Sequence, residues 1–280
     1  MDLYEDFGDF IQKNKVYDID AITFLECMYE DYGDESIEMF LVDFPYTYKG
    51  KNRVTANKWD LPVDIERFFE LSSKMLTKEG CIALTATNPF SAYLINTIEN
   101  MSCNDKYKDI DLVNFKYEWI WEKDNGSNFV HVKHQPFKVH EQVLIFGKSP
   151  TTYNKAGRYM TYTPQFTEGK PYKVKRSGMT DNLATSANYE RTDGDYDGRR
   201  YPRSVIKFNV EKGLHPTQKP TALFEYLIKT YTNKGDTVVD CCCGSGTTGV
   251  AAKRCGRNYI LNDIELKYVT ITEKRLIETI

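Results

Sequence analysis

The sequence predicts an α/β fold: an open, doubly wound, mostly parallel sheet interrupted by a small irregular insert. Three observations lead there. Short apolar runs alternate with stretches whose apolar residues recur at helical spacing. Two of those runs end in an acid and a turn, at Asp43-Phe44-Pro45-Tyr46 and at Asp240 ahead of Gly244-Ser245-Gly246. Between about 147 and 204 the periodicity fades into Gly, Pro, Thr, Asn and Tyr with scattered basic residues.

Residues 37–43 read as a buried strand ending in Asp43, and Pro45 stops its ladder. Ile65, Phe68, Leu71, Ser72, Met75 and Leu76 mark one face of a helix over 64–76. Lys78-Glu79-Gly80 then turns the chain into a second apolar strand at 81–85. Asn88-Pro89 opens the next helix, with Phe90, Tyr93, Leu94 and Ile98 on one side. Two further strands follow at 113–121 and 139–146. The tyrosines of the irregular stretch argue for a small folded insert rather than a disordered linker. Past it, Pro216, Thr217 and Pro220 introduce a helix carrying Leu223, Phe224, Leu227, Ile228 and Tyr231, which Gly235-Asp236 ends. Thr237–Asp240 is a buried strand, the Gly244 turn opens a helix, and 257–263 is a strand carrying Asp263. The expected boundaries are 1–148, 149–204 and 205–280.

The 280 residues suffice for a substantial core, and 41% apolar with 28% charged is ordinary for a globular protein. No run of eighteen apolar residues exists, so no membrane partner is expected. Met1 to Asp6 lacks the basic and apolar regions of an export signal, so the seven cysteines read as reduced thiols. The net charge of -3 hides an asymmetry. Up to Asp43 only Lys13 and Lys15 are basic, whereas 150–219 holds thirteen Lys and Arg against seven acids, 13 - 7 = +6. A basic patch beside Tyr, Asn, Gln and Thr suits a phosphate backbone, although such runs also occur as plain solvated surface.

The segment from Val238 through Thr248 is the first chemical signal. Its glycines let the turn bend tightly and let a ligand approach backbone N–H groups. Thr247 and Thr248 stand at a helix start, where partial positive charge favours a carboxylate. Asp263 is placed to accept hydrogen bonds from ribose hydroxyls. No Gly-x-x-x-x-Gly-Lys-[Ser/Thr] pattern occurs, which speaks against a phosphate-binding P-loop. Cys241, Cys242 and Cys243 suggest zinc only superficially, since neighbours on an extended segment point apart and no close Cys or His completes four ligands. No metal is expected.

At Asp43-Phe44-Pro45-Tyr46 the carboxylate, with a backbone carbonyl near Phe44 or Pro45, can accept both N–H groups of an amine attached to an aromatic ring. Such an amine is a poor nucleophile because its lone pair is delocalised. As it attacks a sulfonium methyl it becomes tetrahedral and partly positive, and fixed acceptors stabilise that charge most in the transition state. Tyr46, and Phe44 as a second candidate, can stack on an extruded base. Methylation at cytosine C5 calls instead for a cysteine nucleophile, usually after proline, and no Pro-Cys pair occurs.

With these motifs in this order the chain resembles the permuted β group of DNA amino-methyltransferases. Asp43-Phe44-Pro45-Tyr46 corresponds to that family's Asp-Pro-Pro-Tyr, and Gly244-Ser245-Gly246-Thr247-Thr248 to its cofactor turn. His215-Pro216-Thr217-Gln218-Lys219-Pro220 matches a family segment that helps hold the cofactor's methionine end. His140-Glu141 with the following Val143-Leu144-Ile145-Phe146 resembles a recurring family strand, Asp263 its ribose-binding acid, and Tyr268 a tyrosine beyond it. Trp59 and Asp60 match a common segment, though a core aromatic and a loop acid explain them equally well. The match spans roughly 15–148 and 201–276. Phe44, Cys241 and Cys242 depart from it, standing where the family has proline, proline and phenylalanine.

The resemblance implies a circularly permuted S-adenosylmethionine-dependent methyltransferase fold. Its catalytic half is 1–148, its target-recognition insert 149–204 and its cofactor-binding half 205–280. It also implies S-adenosyl-L-methionine as cofactor, held by Asp240, Cys242, the turn from Gly244 to Thr248, Asp263, His215, Gln218 and Lys219. Double-stranded DNA is the implied substrate. Lys123, Arg158, Lys173, Lys175, Arg176, Arg199, Arg200 and Arg203 are the candidate contacts, whereas His131 and His134 suit a solvated or DNA-facing loop better than a metal. Asp at the first catalytic position points to N6 of adenine. Cytosine N4 and a catalytically inactive DNA-binding relative stay open as alternatives. A homodimer and a cognate restriction endonuclease are admitted as partners, in the cytoplasm of a prokaryote or of a virus-infected prokaryotic host.

Overall fold

The computed structural model describes residues 10–48, 52–53, 62–126, 128–152, 157–174, 194–211, 213 and 218–280. In chain order the elements begin with β1 (Lys15–Tyr17), α1 (Ala21–Tyr32), β2 (Ile37–Val42), β3 (Thr47–Tyr48), β4 (Asn52–Arg53), α2 (Ile65–Met75), β5 (Leu76–Ala86) and α3 (Phe90–Ser102). Then come β6 (Asn114–Glu122), β7 (His140–Gly147), β8 (Thr167–Glu168), β9 (Tyr172–Val174), β10 (Gly194–Tyr196), β11 (Arg199–Arg200) and β12 (Val205–Lys207). The chain closes with α4 (Thr221–Tyr231), β13 (Thr237–Asp240), α5 (Thr247–Arg254), β14 (Asn258–Asn262) and α6 (Leu266–Glu278).

Eight strands form one sheet in the order β1-β14-β13-β2-β5-β7-β6-β12. All neighbours are parallel except β7, which runs antiparallel to both β5 and β6. Because successive side chains point to opposite faces, each strand feeds two cores. Phe40, Val42, Ile82, Leu84, Val239 and Ile260 face one side, where Phe24, Phe68 and Leu94 from α1, α2 and α3 cover them. Met39, Leu41, Ala83, Val238 and Leu261 face the other, under Leu227, Val250 and Leu276 from α4, α5 and α6. Helices on both faces make the sheet doubly wound, as the alternating apolar runs predict.

Two sequence expectations shift. Lys78-Glu79-Gly80 is not a turn between elements but part of β5, because the pairing with β2 jumps from Ile37↔Leu76 to Met39↔Cys81 and the extra residues are absorbed as a bulge. The helix expected to end at Gly235-Asp236 ends at Tyr231, where the Thr232 N–H still bonds Ile228 O and its backbone turns extended.

The chain separates into two compact units, 1–163 with 204–280, and 164–203. Residues just before the smaller unit belong to the larger one: Met160 is buried in the second core, and the Thr161 N–H donates to Glu79 O at 2.8 Å. The smaller unit holds two short antiparallel pairs, β10 with β9 and β11 with β8. Tyr172 stacks on Tyr196 with centroids 4.8 Å apart, and Phe166 lies 4.8 Å from Tyr201.

Candidate active site

Topology creates the site. From β2 the chain proceeds through α2 to β5 on one side, while from β13 it proceeds through α5 to β14 on the other. The winding therefore reverses between β13 and β2, and in open α/β sheets ligands bind in the crevice beyond the carboxyl ends at such a reversal. Asp43 follows β2, Asp240 ends β13 and Asp263 follows β14, so three acids tip three adjacent parallel strands.

Asp43 is held from several directions. Its Oδ2 accepts from Lys219 Nζ at 2.6 Å, and its Oδ1 accepts from the Thr85 hydroxyl and from Tyr46 OH, the latter at 3.3 Å. Tyr46 OH is equally 3.3 Å from Glu141 Oε2, and Lys219 Nζ lies 3.5 Å from the same oxygen. Lys123 closes the far side of Glu141 in a short ion pair. Burial opposes charge on Glu141, but Lys219 and Lys123 outweigh it and hold its carboxyl below the ordinary range. Burial likewise disfavours the Lys219 ammonium, and Asp43 with Glu141 overcome this and raise it. Glu141 and Lys219 therefore stay ionised together, in a compact network that Asp43 and Lys123 complete.

The tetrapeptide Asp43-Phe44-Pro45-Tyr46 divides its labour. Phe44 is buried edge-on against Phe68, with centroids 4.9 Å apart, so its side chain serves the core and is not a base-stacking surface. Pro45 O accepts the Thr47 N–H at 2.7 Å, which leaves Phe44 O as the less committed carbonyl beside Asp43. Tyr46 stacks on Phe90 at 5.4 Å, and Lys219 Nζ lies 5.4 Å from its ring centroid. A base stacking on Tyr46 therefore has to share the ring with these neighbours. Burial, then Glu141 and Asp43, push the Tyr46 hydroxyl well above its ordinary value, so it remains a neutral donor.

The second half of the site is the turn from Asp240 to Thr248. Asp240 is buried, accepting from the Cys242 N–H at 3.0 Å and from Thr248 Oγ1. Both groups therefore brace the turn, and the Thr248 hydroxyl points inward. Gly246 has φ 78, and a Cβ there would fall 2.4 Å from Thr272 Cγ2, so only glycine lets α6 close against the turn. The Gly244 N–H donates to Asp263 Oδ2 at 2.8 Å, while Asp263 Oδ1 accepts from Glu265 N–H at 3.0 Å. Each carboxylate oxygen retains a further lone pair.

Asn262 and Arg275 are organising residues that no sequence motif flagged. Buried Asn262 donates to Ile19 O and Cys241 O and accepts from the Ile19 N–H, tying the β13 turn to the chain between β1 and α1. Arg275 Nη1 of α6 reaches Ser245 O at 2.5 Å and lies 3.5 Å from Thr247 Oγ1. Cys242 is half-buried beside the turn, and a hydrogen bond with Cys241, followed by burial, pushes its thiol well above the ordinary value. It is thus a small neutral hydrophobe. All seven cysteines are free. Among the described residues no cluster of His, Cys, Asp and Glu is arranged to hold a metal, and no helix is long and apolar enough to cross a membrane.

Buried Asp240 carries a measurable consequence. Burial is the chief cause that raises its carboxyl from 3.8 to about 7. The native state therefore keeps a proton that the unfolded chain has released. The corresponding stability is full below the unfolded value and is lost as pH rises through about 7. Asp240→Asn, which cannot titrate, is expected to flatten this part of the profile. Thermal unfolding at about pH 5 and about pH 8 should give a smaller fall in Tm for the variant than for the wild type.

The other expected contacts fall in different places. Lys123 sits inside the Asp43–Lys219–Glu141 network, 4.6 Å over the Trp121 ring, rather than on a phosphate-facing surface. Arg158 is exposed on the larger unit. In the smaller unit Lys173 pairs with Asp195, Arg199 with Asp197, and Arg200 lies 4.4 Å over Tyr172 while Arg203 is exposed. Lys175, Arg176, His215, Thr217, Trp59 and Asp60 lie outside the described residues. Gln218 is buried and donates to Glu211, and its Oε1 has no hydrogen-bond partner among the described residues.

Residues 37–274 match the family model of the N6/N4-type DNA methylases. The chain belongs to this DNA methylase family. Among curated relatives, DNA adenine methyltransferase YhdJ of Escherichia coli K12 is 29% identical over 255 residues, covering 86% of this chain and 76% of the relative. Among solved structures, the M1.HpyAVI complex with S-adenosylmethionine superposes with a TM-score of 0.57 at 20% identity, covering 94% of this chain and 98% of the other. The cytosine-N4-specific PvuII DNA methyltransferase gives 0.62 at 16% identity, covering 95% and 86%. At such identities these two likenesses establish the methyltransferase fold and nothing finer.

The cofactor of this methylase family is S-adenosylmethionine, and the residues of the chain fit it. No side chain caps the N-terminus of α5, so its first-turn N–H groups and partial positive charge remain available to a carboxylate. Asp263 keeps acceptor capacity for ribose hydroxyls, and the unpartnered Gln218 Oε1 is an acceptor for an ammonium group.

Proposed function

We propose that this methylase transfers the methyl group of S-adenosylmethionine to N6 of adenine in duplex DNA, directly and in line, on a base extruded from the helix. The observation that carries the reading is Asp43, tipping β2 beside the Asp240 turn and held there by Thr85, Tyr46 and Lys219. An acid at this position and the adenine specificity named for YhdJ both favour adenine over cytosine N4. The bound cofactor supplies an electrophilic methyl on sulfonium.

The protein supplies orientation and acceptors. Asp43 and Phe44 O accept the two N–H groups of the amine, an interaction that strengthens as positive charge grows on nitrogen. To reach Oδ2 the amine must share it with Lys219, whose ammonium is meanwhile retained by Glu141. Once methylated, the nitrogen bears a surplus proton and is strongly acidic, since its lone pair belongs to the ring. Asp43 is the base in contact with it. The smaller unit, with its exposed Lys, Arg and aromatic side chains, is proposed to contact the DNA target.

Purified protein, labelled S-adenosylmethionine and duplex DNA, followed by nucleoside digestion and mass spectrometry, tests the reading. The expected product is N6-methyladenosine as its deoxynucleoside. N4-methylcytosine would instead reassign the base, and no labelled nucleoside would leave a DNA-binding relative without transfer.

A further inference from the structure

The loop joining β6 to β7 leaves the sheet at the same edge as Asp43. Its two stems are fastened to the catalytic network. Lys123 pairs with Glu141, the Lys123 N–H bonds Val139 O at 2.7 Å, and Lys138 Nζ bonds the Thr87 hydroxyl, two residues after the Thr85 that holds Asp43. Internally the loop is braced. Asn128 donates to Pro136 O at 3.0 Å and accepts from the Lys138 N–H at 2.7 Å, while a Cβ on Gly126 would strike the Phe137 ring at 2.5 Å.

This braced loop ends in a short helical turn, Phe129–His131, whose apolar side chains face solvent. Phe129 is 75% exposed and Val130 84%, values that cost free energy unless a partner covers them. The surroundings indicate which partner. Lys133, His131 and His134 are exposed beside the tip, and Asp124, the loop's one acid, is occupied in accepting the Val210 N–H at 2.7 Å. In a chain of net charge -3 with four histidines, such a concentration of nitrogen donors around an apolar tip matches phosphates flanking a base stack.

We propose that Phe129 and Val130 form a wedge that enters the duplex where the target base leaves it, with Lys133, His131 and His134 on the adjoining phosphates. Resting on the DNA methyltransferase reading, the inference assigns the surface that extrudes the base. An apolar side chain takes the stacking place that the base vacates, so opening the duplex becomes less costly.

The test compares wild type, F129A/V130A and F129W on a duplex containing the methylated site, and on the same duplex with a mismatch opposite the target. The double variant should lose about tenfold or more in kcat/KM on the paired duplex, recover most of it on the mismatched one, and bind S-adenosylhomocysteine like the wild type. F129W, which keeps a large ring, should stay close to the wild type. Equal losses on both substrates would overturn the inference, as would unchanged turnover or a change in oligomeric state on sedimentation. Absence of transfer by the wild type overturns it together with the function beneath it, and the same assay shows which has happened.

Discussion

Asp43→Ala is expected to reduce methyl transfer by about 10²–10³-fold or more while leaving cofactor affinity nearly unchanged. In the proposed reaction the Asp43 carboxylate is the acceptor for the amine, whereas the turn from Asp240 to Thr248 rests on Asp240, Asp263, Asn262 and Arg275. Among the described residues Lys219 would then keep only Glu141 as a charged partner, so the alanine also disturbs the network around it. Asp43→Asn separates the two. Its amide fills the same volume but presents a donor where the amine and Lys219 need an acceptor, so turnover should fall in a protein that still binds S-adenosylhomocysteine. Single-turnover transfer and calorimetric titration of S-adenosylhomocysteine read the two quantities independently. Wild-type turnover in either variant would remove Asp43 from the chemistry.

Gly246→Ala should damage the other half of the site. Its φ of 78 is costly for alanine, and the new Cβ would lie 2.4 Å from Thr272 Cγ2 and 2.6 Å from its Oγ1. Thr272 is fully buried and its hydroxyl donates to Gly244 O at 3.0 Å, so it cannot swing away without releasing the turn. Backbone strain and overpacking each cost about 1–3 kcal/mol. Cofactor affinity is expected to fall at least about tenfold, with a lowered Tm. Adding Thr272→Ala removes the collision but not the strained φ, so the double variant should recover only part of the loss. Unchanged affinity in the single variant would mean that the turn is not shaped as described.

Much of the fold is legible because burial imposes a period. Met39 to Val42, Cys81 to Leu84 and Val238-Val239 are apolar throughout because both faces of the sheet are covered, and Asp43 and Asp240 mark where two of these runs emerge. Strand β1 is not legible. It has three residues, and only pairing with β14, Lys15↔Ile260, makes it a strand. Helix α1 does carry a signal, with Asp20 capping it and Ala21, Phe24, Leu25 and Met28 buried on one face, within a stretch whose acidity is more conspicuous than its pattern.

The site divides in the same way. Gly246 and Asp263 announce themselves because local turn geometry demands them, and Asp43 because it follows an apolar strand directly. The Asp43–Lys219–Glu141–Lys123 network does not, since its members come from four separate segments and meet only when β2, β6, β7 and the chain before α4 reach one edge. Lys123 shows the difference best: a basic residue after a strand reads as a phosphate contact, but its partner Glu141 turns it inward. Phe44 likewise reads as a stacking surface until Phe68 is seen against it.

Single-molecule sequencing of DNA from a host expressing the wild type, and in parallel Asp43→Ala, tests the central claim most directly. N6-methyladenine recurring within one short sequence, and absent with the variant, is the predicted result. Modified cytosine in its place, or adenine methylation that persists without the Asp43 carboxylate, would contradict it.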